Sequence, residues 1–168
     1  MNYKTEDGIF AQIAGGFGSS VILVRLSSNT QNIYKICKAL GIKEEKLKPN
    51  FTFLAKIYKE GEFLDESLIT YFKAPHSFTG EDCLEIAIHG STFIYEELTN
   101  VFVVNGFRFA FNGEFSYRAF LNGKIDLVEA EGIASLVASS TKIQHLSAKR
   151  QFLGEFSAVF NELRAGVL

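Results

Sequence analysis

The stretch Ala74-Pro75-His76-Ser77-Phe78-Thr79-Gly80-Glu81-Asp82-Cys83-Leu84-Glu85-Ile86-Ala87-Ile88-His89-Gly90 decides the architecture, because it passes from loop chemistry to strand chemistry within a few residues. Its first half is loop: Pro75 lacks a backbone donor, Ser77 and Thr79 offer local side-chain bonds, and Gly80 accepts positive φ. Its second half alternates, with Leu84, Ile86 and Ile88 on one face and Glu85, Ala87 and His89 on the other, the period of a half-buried strand. The apolar face requires a core. The other face is a floor with room above it, carrying a carboxylate and an imidazole separated by a methyl. An ionised carboxylate only accepts hydrogen bonds, so Glu85 suits a bidentate donor, either a guanidinium or an amidine-like heterocycle such as a pterin. On residue types alone, an internal pair with an Arg or Lys is the simpler account. His89 is read as a neutral imidazole satisfied by neighbouring backbone and is left out of the candidate site.

Upstream, Ile9 to Ala14 reads as a first strand, residues 15–20 as a flexible loop, and Val21-Ile22-Leu23-Val24-Arg25-Leu26 as a second strand. That second strand is apolar nearly throughout, as expected when both faces are covered. Arg25 therefore stands out: a buried guanidinium without a partner costs several kcal/mol, on the order given for unpaired buried charges. It needs a carboxylate (Glu85 or Asp82), backbone carbonyls or a ligand. Ser28-Asn29-Thr30 caps a helix with Ile33, Ile36, Cys37 and Leu40 on one face and Gly41 as the stop. Lys43 to Lys48 is a solvated charged run. Phe51 to Tyr58 and Ser67 to Phe72 read as strands joined through a hairpin at Glu60-Gly61-Glu62.

Downstream, Ser91 or Thr92 caps a helix that runs to Val104, and Phe107, Phe109 and Phe111 alternate as a final strand whose aromatics enter the core. Ser116 is the expected cap of a short helix containing Arg118 and Phe120, ended by Asn122-Gly123, with Lys124 emerging just after. Asp126 and Glu129 have capping-box spacing and open a helix with Ala130, Ile133, Ala134 and Val137 on one stripe. A further helix places Leu146, Leu153, Phe156, Phe160 and Leu163 on one side, to close a helical hairpin or pack against another subunit.

The 168-residue chain is long enough to bury about 70% of its unfolded surface. Its 47% hydrophobic content and 17 phenylalanines point to a packed core instead of disorder. A net charge of −2 argues against a basic nucleic-acid surface of its own. No apolar run reaches transmembrane length and the beginning lacks a signal-peptide pattern, so the expectation is a cytoplasmic protein without a membrane contact. Two cysteines without metal-ligand spacing fit buried thiols in a reducing compartment.

The strings SFTGEDCLEIAIHG (residues 77–90) and GEFSYRAFLNGKIDLVEAEGIASL (residues 113–136) closely resemble the N-terminal part of the tRNA-modification GTPase family MnmE, also called TrmE. The resemblance implies an α+β fold, a mixed sheet with helices like the folate-binding domain of aminomethyltransferases, followed by a C-terminal helical segment. It divides the chain into a folate-binding and dimerisation domain over residues 1–120 and the start of a helical domain over 121–168. It implies 5-formyl- or 5,10-methylene-tetrahydrofolate as cofactor, held close to a homodimer interface, with Arg25, Glu85 and Lys124 as the cofactor-binding residues and no catalytic residue or metal. In the family the folate supplies a one-carbon unit to the wobble uridine of certain tRNAs, and the partners are an MnmG-like flavoprotein and tRNA. Some features depart from the family pattern. No GxxxxGK[ST] phosphate loop is present, since Gly123-Lys124 is followed by Ile125, so no GTPase activity is expected of this stretch. The loop ahead of Val21 reads Ala14-Gly15-Gly16-Phe17-Gly18 where the family has prolines and an arginine, and Gly90-Ser91 replaces paired glycines. These departures leave open a second function, a structural dimerisation or interaction module that has lost folate binding.

Overall fold

The computed structural model describes residues 7–153. The chain divides into two compact units, the first ending at Asn112 and the second beginning at Gly113. The first holds a six-stranded mixed sheet, β1 (Gly8–Ala14), β2 (Val21–Ser28), β3 (Phe51–Lys59), β4 (Glu62–Phe72), β5 (Asp82–His89) and β6 (Phe107–Phe109), in the spatial order β3-β4-β5-β2-β1-β6. All neighbours are antiparallel except β1 and β6. With helices α1 (Thr30–Ala39) and α2 (Thr92–Val104) against it, the fold is α+β, as the sequence implies.

The alternation of the central stretch sets the two faces. Ile22, Val24 and Leu26 of β2, Leu84, Ile86 and Ile88 of β5, and Ile69 and Tyr71 of β4 join Ile33, Ile36, Cys37 and Leu40 of α1 and Leu98, Val101 and Phe102 of α2 in one core. The helices begin where side chains satisfy their first N–H groups: Asn29 accepts from Asn32 N, and Ser91 accepts from Ile94 N. The β3–β4 hairpin turns at Glu60-Gly61, both at positive φ (51° and 88°), the geometry of a tight two-residue hairpin turn. β4 starts at Glu62, earlier than the Ser67 expected, because Glu66 and Asp65 pair with Lys56 and Ile57 of β3 and, past an irregularity at Ile57/Tyr58, Phe63 and Glu62 pair with Tyr58 and Lys59. Cys37 and Cys83 are both free and buried.

Two aromatic assignments are corrected. β6 ends at Phe109, and of the three alternating phenylalanines only Phe107 is buried; Phe109 is 54% exposed and Phe111 47%. Pairing with β1 spans only Phe107 to Phe109, so the strand does not carry Phe111 into the sheet. Phe109 packs its ring on Phe10 (centroids 4.3 Å apart) and Phe111 lies under the Arg108 guanidinium at 4.9 Å.

The second unit, taken by itself, consists of α3 (Glu114–Leu121), α4 (Leu127–Ala138) and α5 (Lys142–Phe152). α3 is capped by a left-handed Gly113, three positions before the expected Ser116, and carries a buried Glu114–Arg118 ion pair one turn apart (3.3 Å). The Asp126–Glu129 capping box is present in full, and a second one, Thr141–Gln144, opens α5. The apolar stripe expected on α4 is not its packed face: Val137 is 85% exposed, and the buried position is Gly132. A Cβ on Gly132 would stand 2.5 Å from Phe152 N, so the two helices meet backbone to backbone over a glycine instead of through large side chains. Leu146 and Leu153 of the α5 stripe are about half exposed; Phe156, Phe160 and Leu163 lie outside the described residues.

Candidate functional site

The sheet face turned away from α1 and α2 is the floor anticipated from Glu85, Ala87 and His89. Strand pairing lays β2 alongside it, with Arg25 opposite Glu85, Leu23 opposite Ala87 and Val21 opposite His89. On the other side β4 contributes Thr70 opposite Glu85 and Leu68 opposite Ala87. Val21 and Leu68 are each about half exposed, so the apolar part of this face lies open.

Arg25 and Glu85 form an ion pair in the middle of the floor, with side chains 24% and 16% exposed. Two contacts converge on one oxygen: Nε donates to Oε1 at 2.8 Å and Nη2 approaches the same Oε1 at 2.6 Å. Among the described residues none donates to Oε2. A half-buried carboxylate oxygen with unused lone pairs is a seat for an N–H donor, and the guanidinium that holds Oε1 also offsets the carboxylate's charge.

The loop between β4 and β5 supplies a third member that residue types did not single out. The Phe78 ring lies 5.4 Å from the Arg25 guanidinium carbon, within cation–π range, and is itself part exposed. The loop is fastened on both sides of that ring. Ser27 of β2 is joined to Thr79 Oγ1 (2.7 Å) and donates to the Glu81 carboxylate (2.7 Å), while Ser77 Oγ accepts from Gly80 N. Asp82 does not meet Arg25; its carboxylate accepts from Tyr71 OH (2.6 Å) and Ala74 N (2.7 Å). Burial and then that carboxylate push the Tyr71 phenol far above its ordinary range, so it is a permanent donor here. The SFTGED string thus works as a clasp whose polar side chains hold the loop to β2 and β4 and leave Phe78 beside the ion pair. The one advance signal for Phe78 was its position inside that string.

At the far end of the floor, His89 is satisfied differently from the expectation. Its Nδ1 meets not backbone but the buried carboxylate of Asp65, at 2.7 Å, and its backbone N–H donates to the other Asp65 oxygen at 2.9 Å. Asp65 had no reading in the sequence, lying between the hairpin expected at Glu60-Gly61-Glu62 and the strand expected from Ser67. Lys124, the remaining expected ligand residue, belongs to the second unit: it is exposed and its backbone N–H closes α3 by donating to Ala119 O at 2.8 Å. Arg25 and Glu85 are brought together within the first unit, whereas Lys124 is described only within its own. No group of three or more metal-ligating side chains occurs among the described residues, and no described helix is long and apolar enough to cross a membrane.

Comparison with known proteins agrees with the string resemblance. The tRNA modification GTPase MnmE of Bacteroides thetaiotaomicron is 40% identical over 173 aligned residues, covering all of this chain and 36% of that protein. The protein of the same name from Endomicrobium trichonymphae is 40% identical over 99% of the chain, and that from Campylobacter concisus 42% identical over 94%. In each case the match spans 36% of the relative's length. The model of the family described as "GTP-binding protein TrmE N-terminus" matches residues 8–124, and the chain belongs to that family.

Proposed function

We propose that the first unit binds a reduced folate, 5-formyl- or 5,10-methylene-tetrahydrofolate, on its open sheet face and self-associates through the apolar part of that face. In this reading the chain is the cofactor-positioning and dimerisation part of a wobble-uridine tRNA-modification GTPase in the cytoplasm, with tRNA and an MnmG-like flavoprotein as the partners of the whole enzyme. The observation that carries it is the Glu85 carboxylate, half-buried on the sheet, with Oε1 held by Arg25 and Oε2 open to a donor. The aminopyrimidine edge of a pterin presents adjacent N–H donors that suit such an oxygen, and Phe78 offers a ring face for a flat heterocycle beside it. The cofactor, when bound, supplies the one-carbon unit. Arg25 holds and orients Glu85, Phe78 excludes water from one side, and Lys124 is assigned to an anionic or carbonyl group.

Calorimetric titration of the whole chain with 5-formyl-tetrahydrofolate tests this. Saturable heat is expected, and Glu85→Ala lowers the affinity about 100-fold, the order of losing two hydrogen bonds to a charged group. Absence of heat with the wild-type chain overturns the folate reading. One observation favours a second reading, a structural module without folate: Arg25 already satisfies part of Glu85. That reading expects Glu85→Ala to change only stability.

A further inference from the structure

The sequence reading set His89 aside, yet the structure gives it a partner and an orientation. Asp65 is 5% exposed and acceptor-only when ionised. It collects three N–H groups: Glu66 N on Oδ1 (2.8 Å), His89 N on Oδ2 (2.9 Å) and the His89 ring at Nδ1 on Oδ1 (2.7 Å). A ring nitrogen facing a carboxylate carries the proton, so Nδ1 is the donor and Nε2 is left for another partner. The backbone bond alone would fasten the end of β5, and the imidazole is held in addition while 68% of its side chain stays exposed.

Residues four apart on a strand share a face and are separated by about 13 Å, four steps of a strand's ~3.3 Å rise. The floor is therefore ordered: an open carboxylate oxygen at Glu85, an apolar strip at Ala87 and Leu23, and a fixed imidazole at His89. An elongated molecule with an N–H donor head, a flat apolar middle and an acidic tail matches that order. We propose that His89 is the second anchor of the open-face ligand, with Nε2, in its protonated form, donating to a carboxylate of the tail, and that Asp65 is its positioning residue. The proposal rests on the folate reading and assigns to His89 the glutamate end of that molecule.

The test compares 5-formyl-tetrahydrofolate with 5-formyl-tetrahydropteroate, which lacks the glutamate, by calorimetry on the whole chain. His89→Gln, at an exposed position, is expected to weaken the first about tenfold and leave the second unchanged, while Glu85→Ala weakens both. Nitrogen-15 spectra should show the His89 ring hydrogen-bonded through Nδ1, and Asp65→Ala should remove that signature and weaken only the glutamate-bearing ligand. Equal effects of His89→Gln on the two ligands, or no effect on either, would each overturn the anchor while leaving folate binding standing. Failure of the wild type to bind either ligand would remove the folate reading, and the anchor with it.

Discussion

Cys37 shows how far a single residue's surroundings alter its chemistry. It lies on the core face of α1 with no exposed surface, and burial, aided by the Glu44 carboxylate, pushes its thiol from 9.0 up to about 12. An unfolded thiol ionises above 9.0 while the native one keeps its proton, so over that interval the unfolded state binds fewer protons and stability falls with rising pH. Below 9.0 both states are protonated and the contribution is flat. Urea unfolding is expected to show a loss of up to ~1.4 kcal/mol per pH unit between pH 9 and the folding limit, a slope that Cys37→Ala removes. The helical spacing of Ile33, Ile36, Cys37 and Leu40 was enough to bury this thiol in advance. The partners of Glu85 and His89 were not so accessible. Arg25 was one candidate among several kinds of partner, and Asp65 reaches His89 from a segment twenty-four positions away in the chain.

Gly90 belongs to the scale of elements. The β1–β2 loop closes against the end of β5 through Gly18 N to Gly90 O (3.1 Å) and Gly90 N to Ser20 O (3.3 Å). A Cβ at Gly90 would stand 1.7 Å from the Ser19 carbonyl oxygen, a backbone atom that cannot turn aside. Gly90→Ala is expected to destabilise the sheet unit by about 1–3 kcal/mol, seen as a lowered thermal midpoint and faster exchange of the Gly18 amide. Glycine after His89 is therefore required by the loop that crosses it. Element boundaries were legible wherever a cap was spelled out, as at Asn29, Ser91 and Asp126. They failed where the deciding partner was tertiary. α3 is capped by Gly113 instead of Ser116, with Glu114 buried in its first turn against Arg118. α4 packs on α5 through Gly132 because a close backbone approach excludes the larger residues that periodicity favoured.

For the whole molecule, the question is what lies over the open face of the sheet. Val21, Leu54 and Leu68 are half exposed there, and apolar surface of this kind gains stability when removed from water. If self-association uses this face, as proposed, Leu68→Glu places a charge in the contact and shifts sedimentation toward the monomer. The β3–β4–β5 core that β4 helps form should keep its thermal midpoint, because Leu68 points away from it. A monomer for the wild-type chain at high concentration would remove the dimerisation half of the proposal.

The order of residues determined the two faces of β5, the caps of three of the five described α-helices and the family, because alternation, capping chemistry and the two long strings are local properties of the chain. Only the tertiary structure decided which oxygen of Glu85 is taken, that Phe78 stands beside the ion pair, and that Asp65 orients His89. Those relations join strands and loops through space, and a chain read in one dimension carries no distance between residues that the fold brings side by side.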